Sequence, residues 1–127
     1  AVDLSPRCLR DLVHLATLRP GLVPVLGDAR KHAAWGVMVS KKVDWLLQDV
    51  SQAGQAEIFI KAVKRFLKPG GKGLLSLKAA SERFSEGGER EVFRQVREQL
   101  EDAGLTIEEQ IDLHGLEDNH CLYFVTN

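Results

Sequence analysis

The chain has 127 residues, the length of one domain. Hydrophobic residues make up 44% of it and charged residues 28%, a composition typical of an ordinary globular protein. Its formal net charge of −1 excludes the basic footprint of a protein that grips nucleic acid by charge alone.

The chain begins with a predicted strand, helix and second strand. Residues 1–4 are apolar apart from one aspartate and indicate the end of a strand. Ser5 and Pro6 then suit the N-cap and the first turn of a helix. Residues 22–26 form a short β-rich run, and Gly27 after it allows a sharp turn or the close approach of a ligand.

Residues 43–52 are the stretch around which we expect the chain to be organised. The apolar run from Val43 suits a strand buried on both faces, as in a parallel sheet. Asp49 lies where this strand stops. Ligands of open α/β sheets bind outside the carboxyl ends of the strands, so a carboxylate at this point is a functional candidate.

Helices and strands alternate along the rest of the chain. The alternation predicts a mostly parallel sheet with right-handed crossovers, which defines an α/β fold. The tight connection between the last two strands favours antiparallel pairing, and therefore a terminal hairpin. The remaining predicted elements are a weak helix or loop at 32–39, a helix at 56–67, a strand at 73–77, a loop at 81–88, a helix at 89–103 and strands at 105–113 and 121–125.

Polar residues stand at matching points of several predicted strands: Asp3, Asp28, Asp49, Lys78 and His120. Taken singly, most have a structural explanation. Asp3 suits the positive end of the following helix dipole, Asp28 suits a helix cap, and Lys78 would extend its ammonium to water. His120 would be a turn residue. Their grouping at one sheet edge favours function.

Cysteines and histidines give no sign of a metal centre. Cys8 and Cys121 lie far apart without metal-like spacing, and we expect two reduced, buried thiols. His14, His32 and His114 have no ligand spacing with one another, so no metal is predicted.

The ordered polar segments resemble those of fibrillarin and its archaeal homologues, the RNA 2′-O-methyltransferases of box C/D ribonucleoproteins. The resemblance implies a Rossmann-like S-adenosylmethionine-dependent methyltransferase sheet, mostly parallel with an antiparallel terminal hairpin. The family's first strand and its Gly-rich loop have no counterpart here, so residues 1–127 are interpreted as one amino-terminally truncated methyltransferase domain. The matching segments are residues 1–7, 24–30, 43–44, 49–52, 55–57, 77–79 and 118–120.

The resemblance assigns a set of residues to the cofactor S-adenosylmethionine. Asp3 would accept hydrogen bonds from the ribose hydroxyls, since a carboxylate is an acceptor-only group. Asp28 would contact the adenine amino group, and Ala29 would donate its backbone N–H to the ring. Gln52 would face cofactor or substrate, or else be an exposed loop amide. The residues assigned to the cofactor are Asp3, Leu4, Asp28, Ala29, Asp49 and Gln52.

The resemblance also implies a reaction centre of Asp49, Lys78 and His120. Lys78 would hold the ribose 2′-hydroxyl and stabilise developing negative charge. Asp49 would orient Lys78 and accept a hydrogen bond from the nucleophile. His120 would position the ribose or take up the proton. In the family the Asp and His are adjacent, whereas here Asn119 separates Asp118 from His120.

The function implied is an RNA ribose 2′-O-methyltransferase of a box C/D-type ribonucleoprotein, acting on pre-rRNA or tRNA. One alternative is a non-catalytic truncated module that binds a scaffold protein, since the Gly-rich loop is absent. A different small-molecule or protein methyltransferase would share the fold without predicting the set Asp49, Lys78 and His120.

The expected partners follow from the resemblance. They are guide RNA, substrate RNA, the box C/D scaffold protein and the kink-turn-binding protein. Self-association through open sheet edges is a further expectation. No apolar run approaches the roughly 20 residues that span a bilayer, so no membrane is expected. The location implied is cytoplasmic in an archaeon and nucleolar in a eukaryote.

Overall fold

The structure is a computed structural model that describes residues 1–82 and 87–127. The described chain forms two compact units, Ala1–Ser40 and Lys41–Asn127. Each unit is built around its own paired strands. The single domain interpreted over residues 1–127 stays a prediction.

The first unit is a parallel strand pair with a helical connection. Its elements are β1 (Val2–Asp3), α1 (Pro6–Leu18), β2 (Val25–Leu26), α2 (His32–Trp35) and a 3₁₀ turn (Gly36–Met38). β1 and β2 run parallel, with α1 between them in the chain. Ser5 caps α1 as predicted, because its hydroxyl accepts the N–H of Cys8 at 3.3 Å. The second strand is shorter than the predicted run.

The second unit is a mixed four-stranded sheet with two helices. Its elements are β3 (Val43–Asp49), α3 (Gln55–Phe66), β4 (Leu67–Lys78), a 3₁₀ turn (Ala79–Ser81), α4 (Gly88–Asp102), β5 (Thr106–Asp112) and β6 (His120–Thr126). The strand order is β3-β4-β6-β5. β3 and β4 are parallel, whereas β6 is antiparallel to both β4 and β5. The predicted terminal hairpin is therefore confirmed.

Helices α3 and α4 cover one face of this sheet. The predicted apolar stripe of α4 is confirmed, since Val92, Phe93, Val96 and Leu100 are all buried. Each large apolar side chain buried in this way contributes about 1.5–3 kcal/mol. Tyr123 of β6 lies in the same core and donates its hydroxyl to the backbone carbonyl of Phe93 at 2.8 Å. This core holds β4 and β6 firmly side by side.

The prediction that β3 is buried on both faces is wrong. Trp45 is 62% exposed and Leu47 is 70% exposed. Gln48, the next residue after Leu47, is buried. Side chains alternate across a strand. Trp45 and Leu47 therefore point away from the face on which α3 and α4 pack, and Trp45 stacks on Phe124 of β6 instead.

Three further expectations need correction or remain open. β4 begins at Leu67 rather than at residue 73, because the chain passes from α3 directly into the strand. Cys8 is exposed, and only Cys121 is a buried thiol. The predicted loop at 81–88 includes residues 83–86, which lie outside the described residues.

Candidate active site

The predicted reaction-centre residues of the second unit lie at the same end of its strands. Asp49 is the last residue of β3, Lys78 is the last of β4, and His120 is the first of the antiparallel β6. Asp49 lies opposite Ser76, and Lys78 lies opposite His120. The two parallel strands end together, and the antiparallel strand begins there.

The register also places these side chains on one face. Residues opposite each other on neighbouring strands share a face, and so do residues two apart on one strand. Asp49 therefore shares a face with Ser76, Lys78 and His120. One strand spacing and two residues separate Asp49 from Lys78, a Cα distance of about 8 Å in regular sheet. That distance is within the reach of a lysine side chain toward a carboxylate.

The backbone of Lys78 is held by the side chain of Gln55. The Lys78 N–H donates to Gln55 Oε1 at 3.0 Å, and Gln55 Nε2 donates to the Lys78 carbonyl at 2.9 Å. Both backbone groups of Lys78 thus point away from β6. Lys78 and His120 therefore form the non-hydrogen-bonded kind of antiparallel pair. In such pairs the Cα atoms are about 4.5 Å apart and the side chains are closest.

The ring of His120 has a defined proton arrangement. His120 is 9% exposed, and its Nδ1 lies 2.9 Å from the backbone carbonyl of Asp118. A carbonyl only accepts hydrogen bonds, so Nδ1 carries a proton, and Nε2 has a lone pair whenever the ring is neutral. Asn119 between them has φ of 61°, in the left-handed region that asparagine tolerates. The ring is therefore arranged to accept a proton at Nε2.

Asp49 and Gln52 lie at the turn that follows β3. Asp49 is exposed to solvent, and Gln52 is half-buried. Gln48, one residue before Asp49, faces the other way and donates its Nε2 to the backbone carbonyl of Gln55 at 2.8 Å. This bond ties the end of β3 to the start of α3, and so it fixes where Asp49 leaves the sheet.

The first unit places two predicted cofactor residues at neighbouring strand ends. Asp3 ends β1, and its Oδ1 accepts the N–H of Ser5 at 2.7 Å. Leu4 beside it is exposed. Asp28 lies two residues beyond β2, which is the parallel neighbour of β1. The bond to Ser5 supports the alternative that Asp3 stabilises a helix start, while its second oxygen gives a further acceptor.

The carboxylate of Asp28 pairs with Arg30. Arg30 Nη2 donates to Asp28 Oδ2 at 2.7 Å and Nε donates to Oδ1 at 3.1 Å. This hydrogen bonding, with the charge of Asp28, raises the pKa of the Arg30 guanidinium. Oδ1 of Asp28 also accepts the backbone N–H of Arg30 at 2.9 Å, so both carboxylate oxygens are bonded to Arg30. Ala29 follows it and is partly buried.

The indole of Trp35 gives Gly27 a steric reason, and the predicted sharp turn or ligand approach at this glycine stays a prediction. A Cβ at this position would lie 2.8 Å from Cδ1 of Trp35. The indole of Trp35 also donates its Nε1–H to the carbonyl of Asp28 at 2.8 Å. The glycine therefore makes room for a tryptophan that fixes the loop carrying Asp28.

Sequence reasoning gave no site role to Gln55 or Glu82. Gln55 is fully buried at the start of α3, and Glu82 follows the 3₁₀ turn after β4. Their contacts join residues 23 to 28 positions apart in the chain. The only sequence signal was that Gln55 opens one of the segments behind the family resemblance.

In residues 1–82 and 87–127, no helix is long and apolar enough to cross a membrane. Over the same described ranges, no three histidine, cysteine or acidic side chains are grouped so as to hold a metal ion.

Comparison with known proteins gives consistent matches over the whole chain. The family model described as Fibrillarin matches residues 1–127. The fibrillarin-like rRNA/tRNA 2′-O-methyltransferase of Methanocaldococcus jannaschii is 37% identical over 123 residues, which are 97% of this chain and 53% of that relative. Among solved structures, Aeropyrum pernix fibrillarin with natively bound S-adenosyl-L-methionine has a TM-score of 0.82 at 29% identity, covering 98% of this chain and 53% of its own. A fibrillarin/Nop5p complex has a TM-score of 0.88 at 30% identity, covering 98% of this chain and 58% of the other.

Proposed function

Because the chain belongs to the fibrillarin family, we propose that it takes part in methyl transfer from S-adenosylmethionine to a ribose 2′-hydroxyl of pre-rRNA or tRNA. The chain spans about half the length of the relatives it matches, so the proposal concerns the protein at its natural length. One observation carries it: Lys78 and His120 are paired across the sheet, beside the strand that ends in Asp49. The names of the matched relatives support the reaction class.

The cofactor fits the donor and acceptor chemistry of the chain. A nucleoside presents ribose hydroxyls and an adenine amino group, all of which donate hydrogen bonds. Asp3 and Asp28 bring carboxylates to neighbouring strand ends, and Ala29 and Leu4 are the assigned residues beside them. In the second unit, Asp49 ends β3 and Gln52 lies three residues beyond it. When bound, S-adenosylmethionine supplies an electrophilic methyl group on a sulfonium.

The side chains of the sheet edge match the needs of the 2′-hydroxyl. A ribose hydroxyl is a weak nucleophile until it loses its proton, so a nearby base raises the rate. When the ring of His120 is neutral, its lone pair is at Nε2, since Nδ1 donates to the Asp118 carbonyl. The ammonium of Lys78 stabilises the charge that develops on the oxygen. Asp49 orients that ammonium from the same face.

The proposed assembly is a guide ribonucleoprotein of the box C/D type. The solved fibrillarin/Nop5p complex supports a scaffold-protein partner. The other proposed components of the assembly are guide RNA, substrate RNA and the kink-turn-binding protein. A net charge of −1 suits this arrangement, because partners would supply much of the grip on RNA.

The test is methyl transfer by variants of the protein at its natural length, assembled with its guide RNA. Lys78→Ala and Asp49→Ala are each expected to lower kcat by about 100-fold or more, as the loss of a charge-stabilising contact does elsewhere, with a smaller change in cofactor affinity than in kcat. Lys64→Ala, on the exposed face of α3, is the matched control and should keep the wild-type rate. Near-wild-type turnover in Lys78→Ala would remove that residue from the mechanism.

A further inference from the structure

The side-chain amide of Gln55 takes the place of a missing strand partner at the end of β4. β3 ends at Asp49, which lies opposite Ser76, so Lys78 extends two residues beyond its neighbour. On that side Gln55 Oε1 accepts the N–H of Lys78 at 3.0 Å, and Gln55 Nε2 donates to the Lys78 carbonyl at 2.9 Å. The amide thereby extends the hydrogen-bonded ladder to the last residue of the strand. Gln55 itself is fully buried.

Glu82 fixes which way this amide points. Gln55 Nε2 donates its second hydrogen to Glu82 Oε1 at 2.9 Å. The same carboxylate accepts the backbone N–H groups of Gly54 at 3.0 Å and of Gln55 at 2.9 Å, at the start of α3. A flipped amide would set its oxygen against the carbonyl of Lys78 and against the Glu82 carboxylate, with no donor between them. Only one orientation satisfies every partner.

We infer that Gln55, oriented by Glu82, is a positioning residue that sets the place of the Lys78 ammonium at the reaction centre. The inference rests on the proposed function, in which Lys78 contacts the reacting hydroxyl. A lysine side chain has many rotamers, so the direction in which it leaves the backbone determines where its ammonium can reach. The end of a strand without a partner would fray. Gln55 prevents this on the side where β3 has stopped, and β6 holds the other side.

The inference is tested with Gln55→Glu in the protein at its natural length. Glutamate keeps the size of glutamine, but as a carboxylate it has no donor for the Lys78 carbonyl and repels Glu82. A shift of about 1 Å in a reacting group costs on the order of 100-fold in rate. We therefore expect kcat to fall by about 10- to 100-fold at pH 8, while the dissociation constant of S-adenosylmethionine stays within about twofold. Gln99→Glu, on the exposed face of α4, is the matched control and should keep the wild-type kcat.

The pH dependence of the same variant gives a second readout. A protonated carboxyl regains one O–H donor and one acceptor, and so restores the pair of bonds to Lys78. Burial and the facing Glu82 carboxylate both raise the pKa of the introduced carboxyl, whereas the Lys78 ammonium opposes them. The ratio of the Gln55→Glu rate to the wild-type rate should therefore rise as the pH falls from 8 to 6. The Gln99→Glu ratio should stay constant.

Measuring Lys78→Ala beside Gln55→Glu separates the positioning role from the role of Lys78 itself. A wild-type kcat in Gln55→Glu beside an inactive Lys78→Ala would overturn the positioning role alone. A wild-type kcat in Lys78→Ala would overturn the role of Lys78, and the positioning role with it. If Gln55→Glu unfolds, Glu82→Gln replaces it, because it removes the negative charge that orients the amide and one of the two oxygen acceptors at the start of α3, while keeping the size of the side chain. A kcat lowered by about 3- to 10-fold with unchanged cofactor binding would support positioning, and an unchanged kcat would refute it.

Discussion

The substitution His120→Asn removes the proposed base and keeps the hydrogen bond that holds the side chain. The amide nitrogen of asparagine stands where Nδ1 of the imidazole does, so it can still donate to the Asp118 carbonyl, which Nδ1 meets at 2.9 Å. Nothing in asparagine replaces Nε2. We therefore expect a nearly unchanged fold without a proton acceptor at the reaction centre.

The magnitude follows from the two functions of the ring. A general base contributes about 10²- to 10⁴-fold to a rate, which corresponds to about 2.7–5.4 kcal/mol of barrier at about 1.36 kcal/mol per factor of ten. The hydrogen bond that asparagine keeps is worth about 1 kcal/mol of stability. His120→Asn should therefore lower kcat by about 100-fold or more, while the hydrogen bond that it keeps spares the fold the roughly 1 kcal/mol that losing this bond would cost.

The assay is single-turnover methyl transfer from labelled cofactor, with thermal unfolding measured on the same samples. His114→Asn is the matched control, because His114 is exposed in the turn before β6 and contacts Asp112 only through its backbone N–H. The control should keep both rate and stability. A rate within threefold of wild type in His120→Asn would show that the 2′-hydroxyl loses its proton to some other group.

Three further predictions concern single residues. Asp3→Ala should raise the dissociation constant of S-adenosylmethionine with little change in kcat, as measured by equilibrium dialysis and turnover; an unchanged constant would refute the ribose assignment. Cys8 is exposed, whereas burial raises the pKa of the Cys121 thiol; a thiol reagent at pH 8 should therefore label Cys8 and leave Cys121 unlabelled until the protein unfolds, as peptide mass analysis would show. Asn119→Gly should keep the wild-type rate, whereas Asn119→Val should lower both melting temperature and rate, because a β-branched residue is strained at a φ of 61°; equal behaviour of the two variants would show that the left-handed turn does not hold His120 in place.

Much of the fold was predictable because its signals are local. The spacing of apolar residues in α4 indicated its buried face, and Ser5 with Pro6 marked the start of α1. The short connection before β6 predicted an antiparallel hairpin. The α/β class and the family resemblance, both stated from sequence, are confirmed by the comparisons.

The predictions that proved wrong concern the exposure of side chains, which depends on what packs against them. The apolar run of β3 indicated burial on both faces, yet Trp45 and Leu47 are exposed. Periodicity shows which side chains share a face, but it does not show what covers that face. The prediction that Cys8 is buried is wrong for the same reason. The roles of Asp49, Lys78 and His120 stay predictions, although the structure brings all three to one edge.

The segments that carry the family resemblance are joined to one another by hydrogen bonds. Gln55 of one segment holds Lys78 of a second, and the N–H of Ala79 donates to the carbonyl of Asn119 in a third at 2.8 Å. Asparagine at that point turns the chain so that the preceding carbonyl meets the ring of His120. A strand register alone fixes positions to about the spacing of neighbouring strands, roughly 5 Å, whereas proton transfer needs contacts of about 3 Å. These polar contacts supply the finer placement. That explains why the recognisable residues of this chain are polar ones in turns, rather than the apolar residues that build the sheet.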